Sequence, residues 1–292
     1  MSNLYEQLTK GGWKDVALRV KSQTTQDRVS MVAASVAFYA MLAIFPAMIA
    51  LVLLYGLISD PMDVQSHLMS LSSVLPDEAS AVLETQLSAI VGDSERNIGL
   101  GFAISILGAL WAASRGMRAL AMAMNIAYGQ QESRGFVKRA LAALGLTFTA
   151  ISFVSVAVFV AAALPAIFEA VGLGAFTQTV LNGVRWPVLA LMAMLGLSFV
   201  YHYAPAREPT KWRWVTRGSV IATLVWLVGT AGFSFYVSNF GNYNKTYGTL
   251  GGVIILMLWF YLTSYSVILG AEINAEFERI DDEMSSHHHL PR

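Results

Sequence analysis

A run of 23 uncharged residues, Gly248–Gly270 (GTLGGVIILMLWFYLTSYSVILG), limits what this chain can fold into more than any other feature. As a helix rising roughly 1.5 Å per residue it reaches about the 30 Å of a bilayer's hydrocarbon core. Charge returns abruptly beyond it, at Glu272, Glu276 and Glu278. Thr263, Ser266, Gly270 and Asn274 fall on one helical stripe, which is expected to face other helices rather than lipid. Composition agrees: 55% of residues are hydrophobic and 13% charged, about half the charged share of a soluble protein. A net charge of zero provides no global field for nucleic acid. The absence of cysteine excludes disulfides, thiolate metal sites and cysteine nucleophiles.

Five further uncharged stretches read as spans, giving six at about 31–57, 97–114, 140–168, 186–206, 218–244 and 248–271. Pro46 lies inside the first, where a kink is expected. Residues 1–30 hold Trp13, Val16, Ala17 and Val20 at helical spacing among five cations. They suit an amphipathic helix, either on the membrane surface or packed on the protein. Residues 58–96 change character, with seven acidic residues against one base, Arg96, and suit short amphipathic helices capping the bilayer. After the second span, 119–129 either continues the helix or re-enters the membrane. Gly172, Gly174 and Asn182–Gly183 mark 169–185 as a loop. Residues 277–292 read as a polar, flexible tail, and His287–His289 is too short and isolated for a metal site.

Lysine and arginine set the orientation. Five lie in the N-terminal segment, five in 115–139 and four in 207–217, against only Arg96, Arg185 and Lys245 on the other side. Fourteen against three places both termini in the cytoplasm and 58–96 outside.

Several stretches then fit one family. Ala37–Pro46 (AFYAMLAIFP), Ser114–Gly129 (SRGMRALAMAMNIAYG), Tyr201–Pro205 (YHYAP), Tyr243–Gly252 (YNKTYGTLGG) and Leu269–Glu278 (LGAEINAEFE) resemble the YihY/BrkB family. These are six-span inner-membrane proteins once mislabelled ribonuclease BN. The resemblance covers roughly residues 15–280 with its order preserved. It implies six spans and a bacterial cytoplasmic (inner) membrane, and leaves the biochemical role open. Some relatives are associated with serum resistance in virulence, and another is linked to export of a lipid A precursor, which suggests transport. The expected fold is therefore all-α and polytopic, six transmembrane helices with a short amphipathic helical region on the periplasmic side.

The chemistry allowed is narrow. Only His67 and His202 lie outside the tail, and no HExxH, phosphate loop or GxSxG element is present. No ribonuclease or other enzyme activity, no cofactor and no metal site are expected. Most spans carry polar or small stripes, Ser35/Tyr39, Ser198/His202, Thr223/Thr230/Ser234 and Thr263/Ser266/Gly270/Asn274, which either line a cavity or pack helices. On the transporter reading they hold an amphipathic or anionic envelope substrate of the lipid-precursor type. Arg115 and Arg118 then engage its headgroup, with Tyr39, Asn125, Tyr201, Lys245, Tyr247 and Asn274 as further contacts. His202 and Glu272 are the proton-coupling candidates, and Glu272 has Arg115 and Arg118 as candidate partners. The plain alternative is that the arginines reach phospholipid headgroups and the stripes only pack, as in an envelope scaffold or regulator. Expected partners are membrane lipids and an anionic lipid or small-anion substrate, with no nucleic acid; a homo-oligomer is left open.

Overall fold

The computed structural model describes residues 13–55, 100–170, 175–207, 212–240 and 249–287. Among them are seven helices and no strand: α1 Trp13–Gln26, α2 Val29–Tyr55, α3 Leu100–Ala127, α4 Phe136–Ala170, α5 Ala175–Tyr203, α6 Arg217–Phe240 and α7 Thr249–His287. The acidic segment 58–96 lies outside the described residues, as do Lys245 and Tyr247. Three helices are long and apolar enough to cross a membrane, at Phe136–Ala157, Arg217–Ser238 and Gly251–Asp281, and a fourth span is possible where α1 and α2 meet at 63°. Large apolar side chains such as Phe148 and Val228 stand exposed on these helices. A water-facing surface would hide them, whereas lipid favours them.

Several boundaries differ from the sequence reading. α3 runs unbroken from Leu100 to Ala127, so 119–127 continues the helix. α5 begins at Ala175, which puts Asn182 and Gly183 inside a helix instead of a loop. The helix runs on through these turn formers and through Pro187 in its interior, against the local preference of all three. α7 continues to His287, past the point where a flexible tail was expected to begin. Its Ile273 and Phe277 are buried against Val16 and Val20 of α1, which gives the helix something to hold beyond Gly270. α1 accordingly packs on the protein, the second of its two readings.

The core is built from small side chains. α2 and α3 meet most extensively, through Ala33 and Val36 on one side and Ala121, Ala123 and Met124 on the other. Small residues let helix backbones approach closely where lipid supplies no hydrophobic drive. The stripe on α7 behaves as expected. Thr263 accepts a hydrogen bond from Trp226 Nε1 of α6 at 3.0 Å, and Asn274 Oδ1 accepts one from Gly218 N–H at 2.8 Å. Gly218 and Gly270 touch backbone to backbone, so a side chain on either would strike the other helix. Ser266 is buried and donates to Leu262 C=O of its own helix at 2.9 Å.

Candidate functional site

At the end of the bundle that carries the basic loop, α5, α6 and α7 enclose a polar cavity of about 190 Å³. α3 ends beside it in a tight C-cap. Gly129 takes φ +61, Gln130 N–H donates to Asn125 C=O at 2.7 Å and Gly129 N–H to Ile126 C=O at 2.9 Å. That double closure with a left-handed glycine satisfies the last carbonyls of the helix and aims Tyr128 at the cavity. Gly129→Ala is expected to lower stability by about 1–2 kcal/mol through the left-handed backbone alone, since no atom lies within 4 Å of a Cβ there. Thermal unfolding in detergent measures it.

Asn125 sets the next layer. Its Oδ1 accepts Ala206 N–H at 2.6 Å and its Nδ2 donates to Glu132 Oε2 at 3.2 Å. Arg134 grips the same carboxylate through Nε at 2.9 Å and Nη2 at 3.1 Å, and donates from Nη2 to Ala204 C=O at 3.0 Å. This clasp ties the end of α3 to the YHYAP turn. The Arg134 bonds hold Glu132 below the usual carboxylate value of 4.5. A lowered value means stability that is present above 4.5 and lost as pH falls through the folded-state value. Melting temperature should therefore fall on acidification below that point, and fall less in Glu132→Gln.

The start of α6 forms the opposite wall. Thr216 caps it, its Oγ1 accepting Ser219 N–H at 3.1 Å. Asn274 reaches across from α7, accepting from Gly218 N–H and donating to Thr216 Oγ1 at 2.9 Å. Arg207, Arg213 and Arg217 line the cavity beside His202, facing Glu278 and Asp281. Arg207 pairs with both oxygens of Glu278 and lies over the Tyr128 ring, 4.0 Å from its centre. Arg213 reaches Asp281 at 3.7 Å, and Arg217 stacks 4.5 Å over Phe277. Three guanidiniums against two carboxylates leave one positive charge with His202 neutral. Two buried donors remain unmatched, Tyr128 Oη and Arg207 Nε. Asn274 and Arg207 lie near the tyrosine hydroxyl but outside hydrogen-bond geometry. Burial, and then the nearby Glu278, raise the Tyr128 phenol above its ordinary value, so it stays a neutral donor at physiological pH.

The structure brings Tyr201, His202 and Asn274 to this cavity and leaves the other described candidates elsewhere. Tyr201 spends its hydroxyl on Val267 C=O at 2.8 Å. Arg115 is exposed over Trp111, 5.2 Å from the ring centre, and Arg118 reaches Ser114 Oγ at 3.4 Å on its own helix. Tyr39 packs beside Gly116 between α2 and α3. Glu272 is fully buried with neither oxygen hydrogen-bonded, and its charged neighbours are Asp27 and Arg279, so it pairs with neither Arg115 nor Arg118. A helical stripe records which residues share a side but not which neighbour that side meets. The polar stripes divide: Ser35, Thr223 and Ser266 bond carbonyls of their own helices, whereas Ser198, Thr263 and Asn274 bond across to α6. Only Ser198, His202 and Asn274 among them reach the polar cavity. Arg207, Arg213 and Arg217 were visible only as a topological signal, and Tyr128 only as part of a motif. No group of three or more His, Cys, Asp or Glu suited to a metal occurs among the described residues.

A family model described as "Virulence factor BrkB" matches residues 20–291. A "Putative ribonuclease-like protein YfkH" from Bacillus subtilis is 33% identical over 265 residues, 87% of this chain and 93% of that protein. A "UPF0761 membrane protein" of Methylibium petroleiphilum is 25% identical over 287 residues, 93% of this chain and 64% of that one. Another of the same description from Tolumonas auensis is 35% identical over 85 residues, 29% of this chain and 28% of its own. No solved structure matches.

Proposed function

The chain belongs to the Virulence factor BrkB family of membrane proteins, and from that premise we propose a transporter-like protein that takes an anionic, amphipathic envelope substrate by its headgroup. The observation that carries this reading is a cavity lined by Arg207, Arg213 and Arg217 with one positive charge in excess, beside which the buried Tyr128 Oη and Arg207 Nε have no acceptor in the protein. Buried donors are nearly always satisfied, and an oxyanion supplies the missing acceptors. At about 190 Å³ the cavity suits a phosphate-sized group and excludes a whole lipid, so the apolar part of the substrate stays outside.

In this reading the chain makes six spans in the bacterial cytoplasmic membrane, with both termini and the arginine cavity on the inner side. The lysine and arginine bias supports that orientation. His202 is the proton-coupling candidate that lies in the cavity. The word ribonuclease stays with the relative that bears it, and we propose no nuclease activity here.

A scaffold or envelope regulator is the second reading. It is favoured by the polar stripes that bond back to their own helices, and by Arg207 and Arg213 already holding Glu278 and Asp281. Purified protein reconstituted in liposomes separates the two. Movement of labelled anionic lipid or small anions above protein-free liposomes supports transport. No movement of either, with the protein folded, supports the scaffold.

A further inference from the structure

A second cavity, about 630 Å³, runs between α1, α6 and α7, and nothing in the reading above uses it. One wall is apolar, made by Val20, Ile221, Leu269 and Ile273. Its mouth carries Lys21 and Arg28 with the hydroxyls of Thr25 and Ser30. The size falls within the roughly 300–1,000 Å³ of small-ligand sites. The cations of α1 and of its link to α2 divide by direction. Arg19, turned to α7, holds Glu276 at 3.3 Å, and Arg279 holds the same carboxylate at 3.4 Å. Lys21 and Arg28, turned to the groove, have no carboxylate within salt-bridge distance among the described residues. Arg28 also takes φ +49, a left-handed conformation that glycine or asparagine adopts at lower cost. That left-handed residue ends α1 and begins the 63° bend into α2, and it holds the Arg28 side chain at the mouth of the groove.

We infer that this groove binds one anionic phospholipid of the inner leaflet, an acyl chain along the apolar wall and the phosphate on Lys21 and Arg28. Apolar wall and cationic mouth match the two ends of such a molecule, and juxtamembrane cations favour anionic over zwitterionic headgroups. The inference rests on the inner-side placement proposed above but not on what the polar cavity binds.

The test uses the full chain in vesicles of phosphatidylcholine and phosphatidylglycerol, with a photoreactive diazirine in the acyl chain of one lipid or the other. Labelled peptides are mapped by mass spectrometry. Labelling should concentrate on residues 16–30 and 265–277, with the phosphatidylglycerol probe ahead by about fivefold for each of the two cations. Lys21→Gln with Arg28→Gln, both at exposed positions, should reduce it to the phosphatidylcholine level. Ala17→Trp should fill the groove and lower labelling by both probes. Arg213→Ala, which alters the other cavity's charge and touches no residue of the groove, should leave groove labelling unchanged even if anion binding there is lost. Equal labelling by the two probes would overturn the inference. So would groove labelling no richer than on the exposed Phe148–Ile151 face of α4. A groove that stays unlabelled, because residues 1–12 or a second copy fill it, would overturn it too.

Discussion

Gly270→Ala is expected to unfold or severely destabilise this protein, although it adds one methyl group to a helix. The added carbon would sit 2.6 Å from Ala222 Cβ and 2.7 Å from Gly218 C=O, and would also strike the Tyr201 hydroxyl. Two of these obstacles cannot yield cheaply. One is backbone of α6, and the other is a hydroxyl fixed on Val267 C=O. Overpacking against movable side chains costs about 1–3 kcal/mol, so a clash with backbone here should cost about 3 kcal/mol or more. The same displacement would pull Asn274 from Gly218 N–H and open the polar cavity. Gly232→Ala on α6 is the control, since nothing lies within 4 Å of its Cβ and alanine is the better helix former. Thermal melting in mild detergent compares them. Similar melting of the two variants would mean that α6 and α7 do not cross at Gly218 and Gly270.

The second large effect concerns binding. Tyr128→Phe keeps the ring under Arg207 and removes only the unmatched hydroxyl. A hydrogen bond to a charged oxygen contributes about 1.5–3 kcal/mol, so affinity for a phosphate headgroup should fall by about tenfold or more. Stability should be unchanged or slightly higher, because a buried orphan donor disappears. Titration of a soluble short-chain phosphatidylglycerol against both proteins, at fixed salt, reads the difference. Equal affinity would place the headgroup elsewhere.

The legible part of the fold was that written in residue runs. The uncharged stretches at 140–168, 218–244 and 248–271 and the Thr263–Asn274 stripe could be read directly: helices long and apolar enough to span fall on those three stretches, and Thr263, Gly270 and Asn274 lie against α6. What could not be read was set by the meeting of distant segments. Arg207 lies 71 residues from Glu278, and Asn125 reaches Ala206 across 81 residues. Nothing local in the YHYAP turn announces that Asn125, Glu132 and Arg134 hold it from the end of α3 and the link that follows. Arg115 and Arg118 follow an apolar run, yet that position gives them Trp111 and Ser114 of their own helix as partners. The arginines of 207–217 carry the same local signature and line the cavity because α7 offers Glu278 to Arg207, Asp281 to Arg213 and the Phe277 ring to Arg217.

The side of the membrane that the arginine cavity faces decides both the orientation and the headgroup site. The chain has no cysteine, so Trp214→Cys, on an exposed part of the loop beside Arg213, would carry its single thiol. A membrane-impermeant maleimide should label it in inside-out vesicles and fail to label it in right-side-out ones. Labelling confined to right-side-out vesicles would put the basic loop outside the cell, and the orientation and the inner-side headgroup site would both be wrong.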